Sequence, residues 1–149
     1  MRIEKIEADK NRDALLLIKR TFMQYEAADF SEKGVSSFMK ILDDKDFINE
    51  IEMLGAYINS DLVGMIATRN NRKHITLFFV DSNYHRQGIG KALFNRVLQN
   101  NNNDKITVNS SPYAVSVYLH LGFAADCEEC LADGIRYVPM TYTKEAVIE

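Results

Sequence analysis

Apolar and polar residues alternate from Met1 to Glu7 (MRIEKIE), the period of a half-buried strand. Leu15, Ile18 and Phe22 then recur three and four apart, which predicts a helix over about residues 12–25. Ser31 is placed to cap a short second helix whose apolar face is Val35, Phe38 and Ile41. MLGAYI and LVGMIATR flank the turn-forming trio Asn59, Ser60 and Asp61 and read as a hairpin. After the turn NNRK, the β-branched and aromatic run His74–Val80 (HITLFFV) predicts a third antiparallel strand. Ile89, Leu93, Phe94, Val97 and Leu98 form one helical stripe that fades into Asn100–Asn103. KITV is a short strand. Pro112 is expected to open a helix carrying Ala114, Val117, Tyr118 and Leu121, with Gly122 ending it. The stretch FAADCEECLADGIRYVPMTY reads as two strands around the Asp133-Gly134 turn. The order is mixed α/β, roughly six to seven strands with about four helices. No repeat or linker interrupts it.

A length of 149 residues fits one domain, and 46% hydrophobic with 26% charged residues is ordinary globular composition. The net charge of -3 and pI near 5.6 argue against a nucleic-acid partner. No apolar run approaches the roughly 18 residues of a membrane span. The charged start MRIEKIEADKNRD lacks the apolar stretch of a signal peptide, so a cytoplasmic, membrane-free protein is expected. Cys127 and Cys130 form the single CxxC, and four zinc ligands are not in prospect. On a strand, residues three apart face opposite ways, so two reduced structural cysteines and no metal are expected.

The segment Tyr84–Leu93, YHRQGIGKAL, sets Gly88 and Gly90 one residue apart between Arg86 and Lys91. Glycine costs roughly 1 kcal/mol against alanine inside a helix, so a helix opened by two of them needs a reason. A dinucleotide fingerprint requires a third glycine where Leu93 stands, and a strand ending nearer than Val80. Close packing against a strand accounts for the glycines but not for the cations. A diphosphate cradle accounts for both. The first-turn N–H groups lack helical partners and face an anion. Glycine lets the anion approach, and the cations neutralise it.

HITLFFV, DSNYHR and QGIGKAL together resemble the acetyl-CoA-binding motif of the GNAT superfamily of N-acetyltransferases, Arg/Gln-x-x-Gly-x-Gly/Ala. Gly88 and Gly90 match that pattern. His85 stands at its first position with the arginine one place on, at Arg86, and Ser82 stands where proline is frequent. Val108–Phe123, VNSSPYAVSVYLHLGF, is similar to the family's second block, with its asparagine, helix-borne tyrosine and Gly-Phe ending. The likeness covers Met53 to about Tyr142, and the N-terminal helices loosely. It implies a single GNAT-like domain over residues 1–149, with a mostly antiparallel sheet whose central strands splay apart. Backbone groups of Phe78, Phe79 and Val80 would pair with pantetheine. His85, Arg86, Gln87, Gly88, Ile89, Gly90 and Lys91 would surround the pyrophosphate. Asn109, at the end of the splayed strand, would bond the cofactor; by itself it could equally cap a turn.

The resemblance further implies acetyl transfer from acetyl-CoA to a primary amine by direct attack, and it admits a homodimer. Tyr118 matches the tyrosine that reaches the thioester sulfur; taken alone it is a core tyrosine. A free phenol titrates near 10 and a thiol near 8.5, so full proton transfer between them is uphill by roughly 2 kcal/mol. Tyr118 is therefore expected to stabilise the sulfur by a hydrogen bond. HITLFFV carries no carboxylate to serve as base, although strict alternation would set His74 and Thr76 on one face with Phe78. Tyr25 and Glu26 end the first helix near the acceptor, which makes Glu26 the candidate base through a water relay. Residues 26–52 hold eight acids and three bases, a net of -5, and are expected to border the cleft and draw in a cationic amine. Two other readings compete: a non-catalytic acyl-CoA sensor on the same fold, and a nucleotide-binding regulatory domain.

Overall fold

The computed structural model describes residues 1–144. Along it run β1 (Arg2–Ile6), α1 (Arg12–Tyr25), α2 (Glu32–Asp43), α3 (Lys45–Glu50), β2 (Glu52–Ile58), β3 (Asp61–Arg69) and β4 (His74–Val80). Next come α4 (Ile89–Leu98), β5 (Lys105–Ser110), α5 (Val115–Leu121), β6 (Phe123–Ala125), β7 (Cys130–Ala132) and β8 (Ile135–Thr143). The fold is the mixed α/β arrangement expected, with eight strands and five α-helices among the described residues.

The additions have local causes. Helix α3 is only six residues long and is capped by Asp44, whose carboxylate accepts the N–H groups of Asp46 and Phe47. With apolar residues only at Phe47 and Ile48, it has no period to read. The tail makes three strands rather than two, because β6 stops at Ala125. Cys127 then lies in a bend and Cys130 opens β7, so the strand expected across both is absent. Both cysteines are free, and Cys130 Sγ donates to Glu128 O at 3.5 Å. Pro112 does not open α5. It sits in a turn where the Ala114 N–H bonds to Ser111, and the helix begins at Val115. Gly122 does end it, at φ 103°. Ser31 caps α2 as expected, accepting the Gly34 N–H at 3.1 Å.

The strand order is β1-β2-β3-β4-β5-β8-β6, with β7 paired to β8. Every pairing is antiparallel except β4 with β5. Helices α1 to α3 cover one face, burying Leu17, Ile18, Phe22 and Leu42 against Met65, Leu77 and Phe79. Helices α4 and α5 cover the other, where Leu93, Phe94, Val97 and Tyr118 meet Ile66, Ile75 and Val108.

Two irregularities in β4 shape the middle of the sheet. Ala67 opposes Leu77 while Thr68 opposes Ile75, so Thr76 is an extra residue, a β-bulge. The bulge flips the alternation. Ile75 packs on the α4 side, but so do Phe78 and Val80, while Leu77 and Phe79 pack on the α1 side. The uninterrupted face expected for His74, Thr76 and Phe78 is thereby lost. The second irregularity is the splay. Strand β4 pairs with β5 only at His74–Thr107 and Ile75–Val108. Beyond them β5 continues along β8 to Ser110, and the rest of β4 has an open edge.

Candidate active site

The Asp81 N–H bonds to Val63 O at 2.8 Å in the β3 ladder. Alternation then turns the N–H and C=O of Phe78 and Val80 away from β3, into the gap. The Val80 carbonyl is met there by His85, whose Nε2 lies at 2.8 Å. A carbonyl only accepts, so Nε2 carries the proton and donates. Arg20 Nη2 bonds to Asp81 Oδ2 at 2.7 Å and ties this end of β4 to α1.

A cavity of about 700 Å³ fills the splay. Phe78, Val80 and α5 residues wall it on one side of the sheet; Phe79, Thr21, Tyr25 and Glu26 wall it on the other. It therefore crosses the sheet, joining the start of α4 to the end of α1.

At the α4 end the backbone is shaped for an anion. Arg86 has φ 65° and Gly88 φ 79°, so left-handed residues flank Gln87. The first bond inside α4 runs from Ala92 N–H to Gly88 O. The N–H groups of Ile89, Gly90 and Lys91 come before it and lack helical partners. No side chain caps this terminus. Arg86, Gly88, Ile89, Gly90 and Lys91 all line the cavity. These residues fit a diphosphate: free donors, a concave backbone, two cations and no Cβ on Gly90.

Tyr118 lies between the two ends. It is 5% exposed, with its ring edge-on to Phe78 at 6.0 Å and to Phe123 at 5.3 Å. Burial, and then the Glu26 charge, push its phenol far above the ordinary value, so it stays protonated. Glu26 caps the C-terminus of α1, its N–H bonded to Phe22 O. Burial raises its carboxyl above the ordinary range, opposed by a hydrogen bond with Ser111 and reinforced by Asp29. Beside it the Tyr25 ring lies 5.3 Å from His85 and stacks on Tyr113 at 5.3 Å.

Thus Phe78, Phe79, Val80, His85, Arg86, Gly88, Ile89, Gly90, Lys91, Glu26 and Tyr118 all line one cavity. Two expected residues do not. Gln87 is exposed and reaches back to Asn83 O. Asn109 is the first β5 residue past the last β4 pair, but it is exposed and outside the lining. His74 stands at the closed end of the splay, bonded through Nδ1 to Thr107 Oγ1 at 2.7 Å. Burial and Arg69 lower its pKa. The acidic segment disperses: among its eight carboxylates only Glu26 lines the cavity. Asp29 pairs with Arg136, Asp43 with Lys19, and Asp44 caps α3.

A family model of the acetyltransferase (GNAT) domain matches residues 26–144. The chain belongs to the GNAT acetyltransferase family. Solved GNAT structures share its fold. A GCN5-related N-acetyltransferase from Rhodopseudomonas palustris superposes with TM-score 0.81 at 17% identity, covering 96% of this chain and 95% of that one. The PaiA N-acetyltransferase of Thermoplasma acidophilum, in complex with coenzyme A, gives 0.75 at 18% identity, covering 97% and 100%. Tetrahymena GCN5 gives 0.68 at 15% identity, covering 99% of each. No curated protein matches the chain by sequence. Among the described residues no helix is long and apolar enough to cross a membrane.

The GNAT reading of the sequence did not single out Tyr113 or Ser111 as partners of Glu26. Both lie in the second family block, so the stretch was marked. Their approach to the end of α1 depends on the splay, for which the local sequence carries no signal.

Proposed function

We propose that this GNAT chain moves an acetyl group from acetyl-CoA to a primary amine, by direct attack with both substrates bound. The observation that carries this reading is the cavity that crosses the sheet, with an anion cradle at one end, a carboxylate at the other and Tyr118 between. The amides of Ile89, Gly90 and Lys91, with Arg86, hold the pyrophosphate. The open edge at Phe78 and Val80 receives the pantetheine amides; His85 already shows that the Val80 carbonyl accepts a donor there. The thioester supplies an activated acyl carbon.

Glu26 receives the amine as its ammonium. Its raised carboxyl is a stronger base than an ordinary one. An alkylamine titrates near 10.4, and each unit that Glu26 is raised removes about 1.4 kcal/mol from the cost of taking its proton. The freed nitrogen forms a C–N bond to the acyl carbon and the C–S bond breaks. Glu26 passes the first proton to solvent, and the second N–H proton travels through water to the departing thiolate, which ends as thiol. Tyr118, reluctant to ionise, donates a hydrogen bond to the departing sulfur and remains a phenol.

The meeting of Glu26 and Tyr118 in one cavity favours an enzyme over a non-catalytic acyl-CoA sensor. Calorimetric titration with coenzyme A, and then thiol release from acetyl-CoA with a panel of amines, tests both. Absence of coenzyme A binding removes the cofactor assignment; binding without thiol release removes the enzyme and leaves the sensor.

A further inference from the structure

The amine end of the cavity has its own chemistry, and reading it as the amine end rests on the function proposed above. Among the described residues, Glu26 is the only carboxylate in the lining. The lining cations Arg86 and Lys91 stand at the α4 end. Arg136, the cation nearest to Asp29, is taken: its Nε and Nη2 donate to the Glu129 carboxylate at 2.9 and 3.0 Å, and its Nη1 to Asp29 O at 3.3 Å. Around Glu26 the walls are aromatic. His85, Tyr25 and Tyr113 form a row with successive ring centroids 5.3 Å apart. Tyr25 backs one face of Tyr113, which is still 45% exposed.

One carboxylate can neutralise one ammonium. A second ammonium, as in a polyamine, finds no second carboxylate among the lining residues. A carboxylate on the carbon bearing the amine would lie close to Glu26, where the described lining offers no lysine or arginine and the imidazole beside Tyr25, that of His85, is engaged with Val80 O; an unpaired buried charge is strongly disfavoured. An aromatic body, by contrast, finds an open ring face backed by another ring. We propose that the acceptor is an arylalkyl monoamine without a carboxylate beside its nitrogen, and that Tyr113 selects it by stacking on its ring.

The test uses the full chain at saturating acetyl-CoA and reads thiol release. Phenethylamine and tyramine are compared with phenylalanine and tyrosine, and with cadaverine and spermidine. The aryl monoamines are expected to exceed both other groups more than tenfold in kcat/KM. Tyr113→Ala is expected to raise the KM for tyramine about tenfold and to narrow the preference, with the KM for acetyl-CoA unchanged. Tyr113→Phe, which keeps the ring, is expected to retain the preference. Amino acids or polyamines matching the aryl monoamines, no turnover of any amine, or a preference untouched by Tyr113→Ala would each overturn the proposal. A parallel coenzyme A titration separates the two levels. Binding with a different amine preference defeats only this inference, whereas no binding defeats the function on which it rests.

Discussion

Gly90→Ala separates the cradle from mere helix packing, because the two make stability and affinity move differently. A Cβ built on Gly90 would lie 3.5 and 3.7 Å from the Phe78 ring and 3.9 Å from Val80. Those are ordinary contacts, so the protein alone has room for the methyl group. Alanine is the better helix former by up to about 1 kcal/mol. In a domain of this size that raises Tm by about 2–4 °C. Gly90, Phe78 and Val80 all line the cavity, so the same methyl would take space that a diphosphate on the helix-start amides is expected to use. Displacing the diphosphate from one charged hydrogen bond costs about 1.5–3 kcal/mol, or roughly 10- to 150-fold in Kd. Melting of the free protein and calorimetric titration with coenzyme A measure the two effects on one sample. A raised Tm with unchanged affinity would refute the cradle. A Tm lowered by several degrees would mean that the glycine serves packing.

Three further outcomes rest on the same geometry. Tyr118→Phe keeps the ring packed on Phe78 and Phe123 but removes the donor, so kcat should fall about 100-fold while coenzyme A affinity stays within about twofold. Glu26→Gln bears on pH. Because burial raises the folded carboxyl above its unfolded value, the native state holds that proton more tightly, and stability declines as pH rises through the raised value. The glutamine variant should therefore melt higher than the wild type at pH 8, with the gap closing below about pH 4, the unfolded value. The wild-type acid limb of kcat/KM should lie above the ordinary carboxylate range and vanish in the variant. Gly34→Ala would drive a Cβ onto the Gly134 carbonyl, 2.6 Å from its carbon, where the β7–β8 turn meets α2. Backbone cannot step aside as a side chain can, so a loss of about 3 kcal/mol in urea unfolding is expected.

Contiguous patterns were readable from the chain; meetings between distant segments were not. The 3.6-residue period and the β-branched run set the limits of α1 and β4 because each reflects a property of one segment. The loop from Arg86 to Gly90 was readable for the same reason, since free amides at a helix start require no distant partner. The bulge at Thr76 was hidden: HITLFFV alternates well enough in sequence, and only pairing with β3 shows where a residue is left over. The acidic run misled because charge counted along the chain ignores direction. Folding sends Asp29 to Arg136 and Asp43 to Lys19, leaving Glu26 alone in the cavity.

The cavity can also be located from what the fold gives up to make it. Seven non-glycine residues among those described have positive φ. Five of them are Asn or Asp, which tolerate that conformation. Arg72 is a sixth, and its guanidinium caps the end of α4, bonding to Gln99 O and Asn100 O at 2.7 Å each. Arg86 is the seventh, and it lines the cavity. The same cavity holds a carboxyl raised by burial, a buried phenol raised with it, a helix start without a side-chain cap and half a strand edge without a ladder. The raised carboxyl, the uncapped helix start and the unpaired edge each cost stability, and none of these three is needed to close either hydrophobic cluster. Such costs persist where a site uses them. Their convergence on one space supports the proposal that this space is the working part of the protein, on grounds independent of any family motif.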